Sequence, residues 1–179
     1  KGLSIEGYFT DKMESMSDVQ PTNEEILITI NDKVVLTSKN MFLLSGAPKA
    51  HKSTICLMFL MSFLSAKSIQ GISMRQKGKA LYIDTELSNL SFYRAFNRAK
   101  LITGIKDREI NMDIHDIFLF RMLDKKQILS NIIYLLECEP DYNYLFIDGL
   151  LDLTYNFNDV EETKELLTLL QQICEKFNV

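Results

Sequence analysis

Residues 46 to 53 read Gly-Ala-Pro-Lys-Ala-His-Lys-Ser, a segment with the spacing of a phosphate-binding loop. The P-loop pattern places a glycine, four variable residues, a second glycine, a lysine and a serine or threonine between a strand and a helix. Backbone N–H groups then bind phosphate, the lysine bridges the β- and γ-phosphates, and the hydroxyl ligates Mg²⁺. Lys52 and Ser53 stand at the last two positions. We expect the nucleotide to be bound by Gly46, Ala47, Pro48, Lys49, Ala50, His51, Lys52, Ser53 and Thr54.

His51 stands where the pattern has its second glycine. If the backbone there needs a left-handed conformation, histidine costs of order 1 kcal/mol relative to glycine. The ring has an alternative role, which is to contact the nucleotide or a neighbouring subunit. A further alternative is that the segment only mimics the motif.

Two carboxylates follow apolar runs and complete a set suited to hydrolysis. Asp148 ends the run Tyr144-Leu-Phe-Ile, a Walker B pattern that would place an acid near the loop and Mg²⁺. Glu86 lies just beyond a second run that ends at Asp84, at the strand edge where open α/β sheets bind ligands. Glu86 could orient and deprotonate a water, or it could simply complement the dipole of the helix that Ser88 opens. Together these residues predict ATP and Mg²⁺ as ligands, with Ser53 and Asp148 at the metal and Glu86 and Lys52 in catalysis.

The pattern of the whole chain predicts an α/β fold. After a polar stretch at residues 1–22, interpreted as an arm or linker, residues 23–179 read as one core: a β-hairpin around Asn31-Asp32-Lys33, then strands alternating with helices. Such alternation favours a mostly parallel sheet covered by helices on both faces. The expected strands are 41–45, 80–84, 117–122 and 144–147. The expected helices begin at Lys52, Ser88, Asp124 and Asp159, and residues 70–79 are assigned to a polar loop.

Composition narrows the class of protein further. The 179 residues are 46% hydrophobic and 25% charged, which argues against disorder. The formal charge of −4 provides no overall attraction to nucleic acid or to anionic membrane. Three scattered cysteines and two histidines argue against a disulfide framework and a zinc site. Without a signal peptide or a membrane-spanning stretch, we predict a cytoplasmic protein, and the initial lysine suggests a fragment.

The order of these motifs resembles the RecA-like P-loop ATPase superfamily over about residues 41–179. Within it, the chain is most similar to the RepA-like hexameric replicative helicases of plasmids and mobile elements. The residues that carry this are Leu43-Leu-Ser-Gly-Ala-Pro-Lys, Ile147-Asp-Gly-Leu-Leu-Asp and Asn158-Asp-Val-Glu-Glu. The resemblance implies that Glu86 is the catalytic base. It also implies a ring of identical subunits, a hexamer in that family, with ATP between them, an arginine from the neighbour and single-stranded DNA in the centre.

Several expectations stay open at the level of sequence. Arg94, Arg98 and Arg108 are candidates for the arginine by composition alone, and solvated surface charges are the simpler interpretation. The cluster of Arg75, Lys77 and Lys79 likewise favours a solvated loop over a DNA patch. RecA-like sheets have another strand between the P-loop and Walker B strands, so we expect the natural protein to continue beyond Val179, or another segment to fill that position.

A helicase motor is the leading functional hypothesis. The alternative is a regulatory or scaffold module whose degenerate loop binds nucleotide with little hydrolysis. A small-molecule kinase is disfavoured because no arginine-rich lid segment is present.

Overall fold

The computed structural model describes residues 24–47, 50–121, 123–154 and 159–179. The predicted arm at residues 1–22 therefore lies outside the described residues. The strands are β1 Ile26–Ile30, β2 Lys33–Thr37, β3 Ile72–Met74, β4 Lys79–Asp84, β5 His115–Leu119 and β6 Tyr142–Asp148. The α-helices are α1 Lys52–Ser65, α2 Asn89–Thr103, α3 Lys125–Cys138 and α4 Val160–Phe177. Short 3₁₀ helices span Asp107–Glu109, Met112–Ile114 and Leu150–Leu153.

The first sheet is antiparallel, in the order β2-β1-β3. Asn31 and Asp32 join β1 to β2 with φ angles of 48° and 62°, the pair of left-handed residues that a tight hairpin turn of primed type needs. This confirms the predicted hairpin. The assignment of residues 70–79 to a loop was wrong in part, because Ile72–Met74 pairs with β1.

The second sheet is parallel, in the order β5-β4-β6, and β4 is its central strand. Alternate side chains of β4 face opposite sides of the sheet. Ala80 and Tyr82 pack in one apolar cluster with α1 and α2, whereas Leu81 and Ile83 pack in another with α3 and α4. The fold is therefore α/β, with a parallel sheet that has helices on both faces, as the alternation predicts.

The helices start and stop where local chemistry favours it. α1 has no charged residue after Lys52, and its residues 57–64 are all buried. Ser88 caps α2 by accepting the N–H of Ser91, and Gly104 ends that helix at φ 70°. Asp159 caps α4 by accepting the N–H groups of Glu161 and Glu162.

The expected strand at Met41–Ser45 was wrong. No strand is assigned there, and Met41, Phe42 and Leu43 are 38%, 42% and 58% exposed. The apolar run is long enough to form a strand, but a strand also needs a neighbouring strand to accept and donate its hydrogen bonds. Within the described ranges β6 pairs only with β4, so the edge of β6 that would face such a neighbour has no strand beside it. The strand expected at 117–122 instead ends at Leu119.

Candidate functional site

The residue before α1 adopts the backbone conformation that the sequence pattern reserves for glycine. His51 has φ 59° and ψ 28°, in the left-handed region, and its side chain makes no capping hydrogen bond. The other three α-helices begin differently. Ser88, Asp124 and Asp159 are extended, and each accepts an N–H of the first turn through its side chain. The first turn of α1 is thus the one α-helix start of the described chain that has no side-chain cap, so its N–H groups are available to another acceptor.

The ammonium group of Lys52 is hydrogen-bonded to the backbone of the chain before α1. Lys52 Nζ donates to the carbonyl oxygen of Gly46 at 3.0 Å and to that of Ala47 at 3.1 Å. The N–H of Ala50 also donates to Ala47 O at 3.1 Å. The carbonyls of Gly46 and Ala47 therefore lie beside the Lys52 ammonium. Two of the predicted binding residues, Pro48 and Lys49, lie outside the described residues.

Four carboxylates collect at the carboxyl end of the parallel sheet, and we name them the carboxylate cluster: Asp84, Glu86, Asp148 and Asp152. Asp84 and Asp148 are direct partners in the β4–β6 register, so both strands end at the same level. Burial raises the pKa of Glu86, nearby Asp148 and Asp152 raise it further, and the Lys52 ammonium lowers it. The fold thus places both Lys52 and Asp148 within electrostatic reach of Glu86.

Asp84 is the buried member of the carboxylate cluster, with 1% of its surface exposed. Its Oδ1 accepts the N–H of Glu86 at 2.9 Å and that of Leu87 at 2.7 Å. Its Oδ2 is buried and has no hydrogen-bond partner among the described residues. Burial raises the pKa of Asp84, and the charges of Asp148 and Glu86 add to the rise, while the two N–H donors oppose it. An unbalanced negative charge at this depth favours a nearby proton or cation.

Sequence reasoning missed two residues of this site. Tyr82 is fully buried, and its hydroxyl donates to Asp148 Oδ2 at 3.2 Å. Burial, with the nearby Cys56 and Asp148, raises the pKa of Tyr82, so the hydroxyl stays a donor. Tyr82 lies two residues before Asp84 in the same strand, and that even spacing, which puts both side chains on one face, is a signal that could have identified it. Asp152 joins the cluster through the 3₁₀ helix that follows Gly149, which no periodicity predicts.

Ser53 and Thr54 occupy the first turn of α1, as the motif requires. In the described ranges, no group of three or more His, Cys, Asp or Glu side chains is arranged to hold a metal ion by itself. Mg²⁺ commonly binds through one or two protein oxygens together with phosphate and water. The predicted pair of Ser53 and Asp148 is thus of the kind that Mg²⁺ uses, and it stays a prediction.

Each member of the basic cluster forms an ion pair with an acidic side chain. Arg75 and Lys77 both pair with Glu25, at 2.8 Å and 2.5 Å, and Lys79 pairs with Glu139 at 2.8 Å. These ion pairs agree with the interpretation of residues 70–79 as surface charge and give no support to a DNA patch there.

The three candidate arginines lie on the surface. Arg94 and Arg98 are exposed on α2, and Arg108 is exposed in the 3₁₀ helix Asp107–Glu109.

A cleft of about 560 Å³ opens between the carboxyl ends of β4 and β5, with Leu90 and Phe120 in its lining. None of the described residues among positions 46–54 lines this cleft, which is therefore separate from the Lys52 contacts.

Comparison with protein families, curated proteins and solved structures brings no relative of this chain to light: no family model matches, and neither curated proteins nor solved structures give a match. The case for function therefore depends on the residues of the site. Among the helices of the described ranges, none has both the length and the apolar character needed to cross a membrane.

Proposed function

We propose that this chain binds ATP with Mg²⁺ and hydrolyses it, as the core of a RecA-like motor related to the RepA-like replicative helicases. One observation carries the proposal: the Lys52 ammonium bonds to the carbonyls of Gly46 and Ala47 at an uncapped helix start, and both Lys52 and Asp148 lie within electrostatic reach of Glu86. Lys52 would bind the phosphate anion, Asp148 would bind the metal cation, and Glu86 would act as the base.

Phosphate recognition would use groups that are already in place. Lys52 bonds to two loop carbonyls, and charge-assisted bonds to phosphate oxygens are stronger than bonds to neutral carbonyls. Binding of a triphosphate would therefore exchange the carbonyl contacts of Lys52 for phosphate contacts. The N–H groups of the first turn of α1, which have no side-chain cap, would donate to the same anion.

The charge of the carboxylate cluster favours a divalent cation that phosphate and water also ligate. Asp84 Oδ2 is buried without a partner, and the pKa of Glu86 is raised by its acidic neighbours as well as by burial. Added positive charge would reduce this repulsion. Ser53 and Asp148 would hold Mg²⁺, which supplies charge neutralisation on the phosphates when bound. The Tyr82 hydroxyl keeps Asp148 oriented by donating to one of its two oxygens.

Glu86 is the proposed general base. A carboxylate with a raised pKa accepts a proton more readily, and Glu86 would take one from a water as that water attacks the γ-phosphorus. The bond from the γ-phosphorus to the bridging oxygen breaks, so that ADP and inorganic phosphate leave. Lys52 would stabilise the charge that develops on the phosphate oxygens.

The test measures ATP turnover with and without single-stranded DNA. Glu86→Gln should lose turnover and keep nucleotide binding, whereas Lys52→Ala should lose nucleotide binding. Lys67→Ala is the matched control, because Lys67 lies just past the other end of α1 and pairs with Glu109 on the surface. Unchanged nucleotide affinity in Lys52→Ala would refute the site.

The regulatory or scaffold module is the second candidate, and the left-handed His51 favours it. Histidine in place of glycine adds a side chain at the mouth of the loop, where it is exposed. Tight nucleotide binding with no turnover, with or without DNA, would establish this alternative. Stimulation of turnover by single-stranded DNA that Glu86→Gln abolishes would establish the motor, and the mass of the assembly in solution would test the expected ring.

A further inference from the structure

Thr85 lies between two members of the carboxylate cluster and is bonded to the opposite strand end. It is one of the few buried polar residues of the described chain, with 2% of its surface exposed. Its backbone N–H donates to the Asp148 carbonyl at 3.1 Å, and its hydroxyl donates to the Gly149 carbonyl at 2.9 Å. The chain after β4 is thus joined to the chain after β6 by a side chain as well as by the backbone.

Gly149 is the point of closest approach between these two strand ends. Its φ of 96° lies in the region that side-chain-bearing residues rarely adopt. A Cβ at this position would lie 2.0 Å from Thr85 Oγ1 and 3.0 Å from Glu86 Cγ. The Gly149 carbonyl also accepts the N–H of Asp152 at 3.0 Å, so the same oxygen connects Thr85 to the 3₁₀ helix that carries Asp152.

We infer that Thr85 is a positioning residue, whose hydroxyl bond to the Gly149 carbonyl fixes Glu86 against Asp148. This inference rests on the proposed function, because Glu86 is taken as the base and Asp148 as the metal ligand. Among the described residues, Thr85 makes the side-chain bonds between residues 85–87 and the end of β6: its hydroxyl lies 2.9 Å from the Gly149 carbonyl and 3.4 Å from the Asp148 carbonyl. Asp84 holds the N–H groups of Glu86 and Leu87 from within β4 and so fixes the turn, but it does not fix the distance across the two strands.

The expected size of the effect follows from the geometry of catalysis. A reacting group displaced by about 1 Å can lose on the order of 100-fold in rate, because the attack geometry is no longer met. Loss of the hydroxyl removes its bonds to the Gly149 and Asp148 carbonyls but leaves the Thr85 N–H bond to Asp148 in place, so a partial displacement is expected. Thr85 is not one of the proposed nucleotide-binding residues, 46–54, so the affinity for nucleotide should be unchanged by its substitution.

The experiment compares Thr85→Val, which has nearly the same shape without the donor, with Thr85→Ser, which keeps the donor. We expect Thr85→Val to lower kcat by about 10- to 100-fold with the KM for ATP within about threefold, and Thr85→Ser to stay within about threefold of the original kcat. Thr103→Val is the matched control, because the Thr103 hydroxyl bonds to Ala99 within α2, away from the cluster. A kcat for Thr85→Val equal to that of Thr103→Val would overturn the inference.

A second measurement does not depend on turnover. The Glu86 carboxyl is titrated by ¹³C NMR in the original chain and in both Thr85 variants. If Thr85 holds Glu86 beside Asp148, the pKa of Glu86 should fall toward its ordinary value in Thr85→Val and stay raised in Thr85→Ser. An unchanged titration in Thr85→Val would overturn the inference, even where the original chain has no ATPase activity. Absence of that activity would overturn the proposed hydrolysis alone.

Discussion

Replacing His51 with glycine should stabilise the protein and preserve or raise nucleotide affinity. His51 is held at φ 59° without a capping bond, and the left-handed region costs an L-residue about 1–2 kcal/mol. Glycine removes this cost but gives the unfolded chain more freedom, which offsets about 0.5–1 kcal/mol. The net gain is about 0.5–1 kcal/mol. For a chain of 179 residues, that corresponds to a rise in Tm of about 1–4 °C.

Ala66 provides the matched control for this prediction. It ends α1 with φ 54° and ψ 28°, almost the same backbone conformation as His51, and it is exposed. Ala66→Gly should therefore raise Tm by a similar amount without altering nucleotide binding. His51→Ala separates the ring from the backbone, because alanine keeps the left-handed strain and loses the imidazole.

The assay combines chemical denaturation of the four proteins with titration of a fluorescent ATP analogue. If the histidine only strains the loop, His51→Gly and Ala66→Gly gain similar stability, and His51→Ala gains none. The reasoning would be refuted by a His51→Gly variant that is less stable than the original chain while Ala66→Gly is more stable. A loss of nucleotide affinity of tenfold or more in both His51 variants would instead show that the ring binds the nucleotide.

Two further predictions concern the buried part of the site. The raised pKa of Asp84 means that the native state binds its proton more tightly, so the free energy of unfolding falls as pH rises from about 3.8 through the native pKa. Asp84→Asn should remove this dependence and raise Tm at pH 7 relative to the original chain; a Tm-against-pH curve unchanged by the substitution would contradict it. Tyr82→Phe should cost about 1 kcal/mol, since the bond to Asp148 is lost. It should also weaken the Mg²⁺ dependence of nucleotide binding, and unaltered Mg²⁺ titrations would count against the role given to Tyr82.

The predictable part of the fold depends on local signals. The uncharged run after Lys52 gives a buried helix, and the capping residues Ser88 and Asp159 mark helix starts, because each effect is set by neighbours in sequence. β3 was missed since its three residues form a strand only through pairing with β1, some 40 positions earlier. The failed strand at Met41–Ser45 has the same cause: strand formation depends on a partner, which propensity does not report.

The residues of the site likewise fall into those that local sequence predicts and those that depend on contacts between distant parts of the chain. The place of Glu86 and Asp148 at the sheet edge could be predicted because Asp148 ends one apolar strand and Glu86 follows another, and parallel strands place their carboxyl ends together. The contact of Thr85 with Gly149 could not, because it depends on how closely two strand ends approach in space. Asp152 is similar, since its place is set by the 3₁₀ helix Leu150–Leu153 and not by a repeat in the sequence.

The features that depart from local rules lie close together, and this is the strongest argument that the sheet edge is functional. Left-handed residues that are not glycine occur elsewhere at turns and at helix ends, such as Ala66 and Asn178, where that conformation closes a helix. His51 is different because it stands at a helix start, where the other α-helices have extended, side-chain-capped residues. Asp84 departs from another rule, as a buried carboxylate with one oxygen unbonded. The uncapped N–H donors at the start of α1 and the buried carboxylate oxygen at the end of β4 would each be satisfied by one ligand that carries both phosphate and a cation.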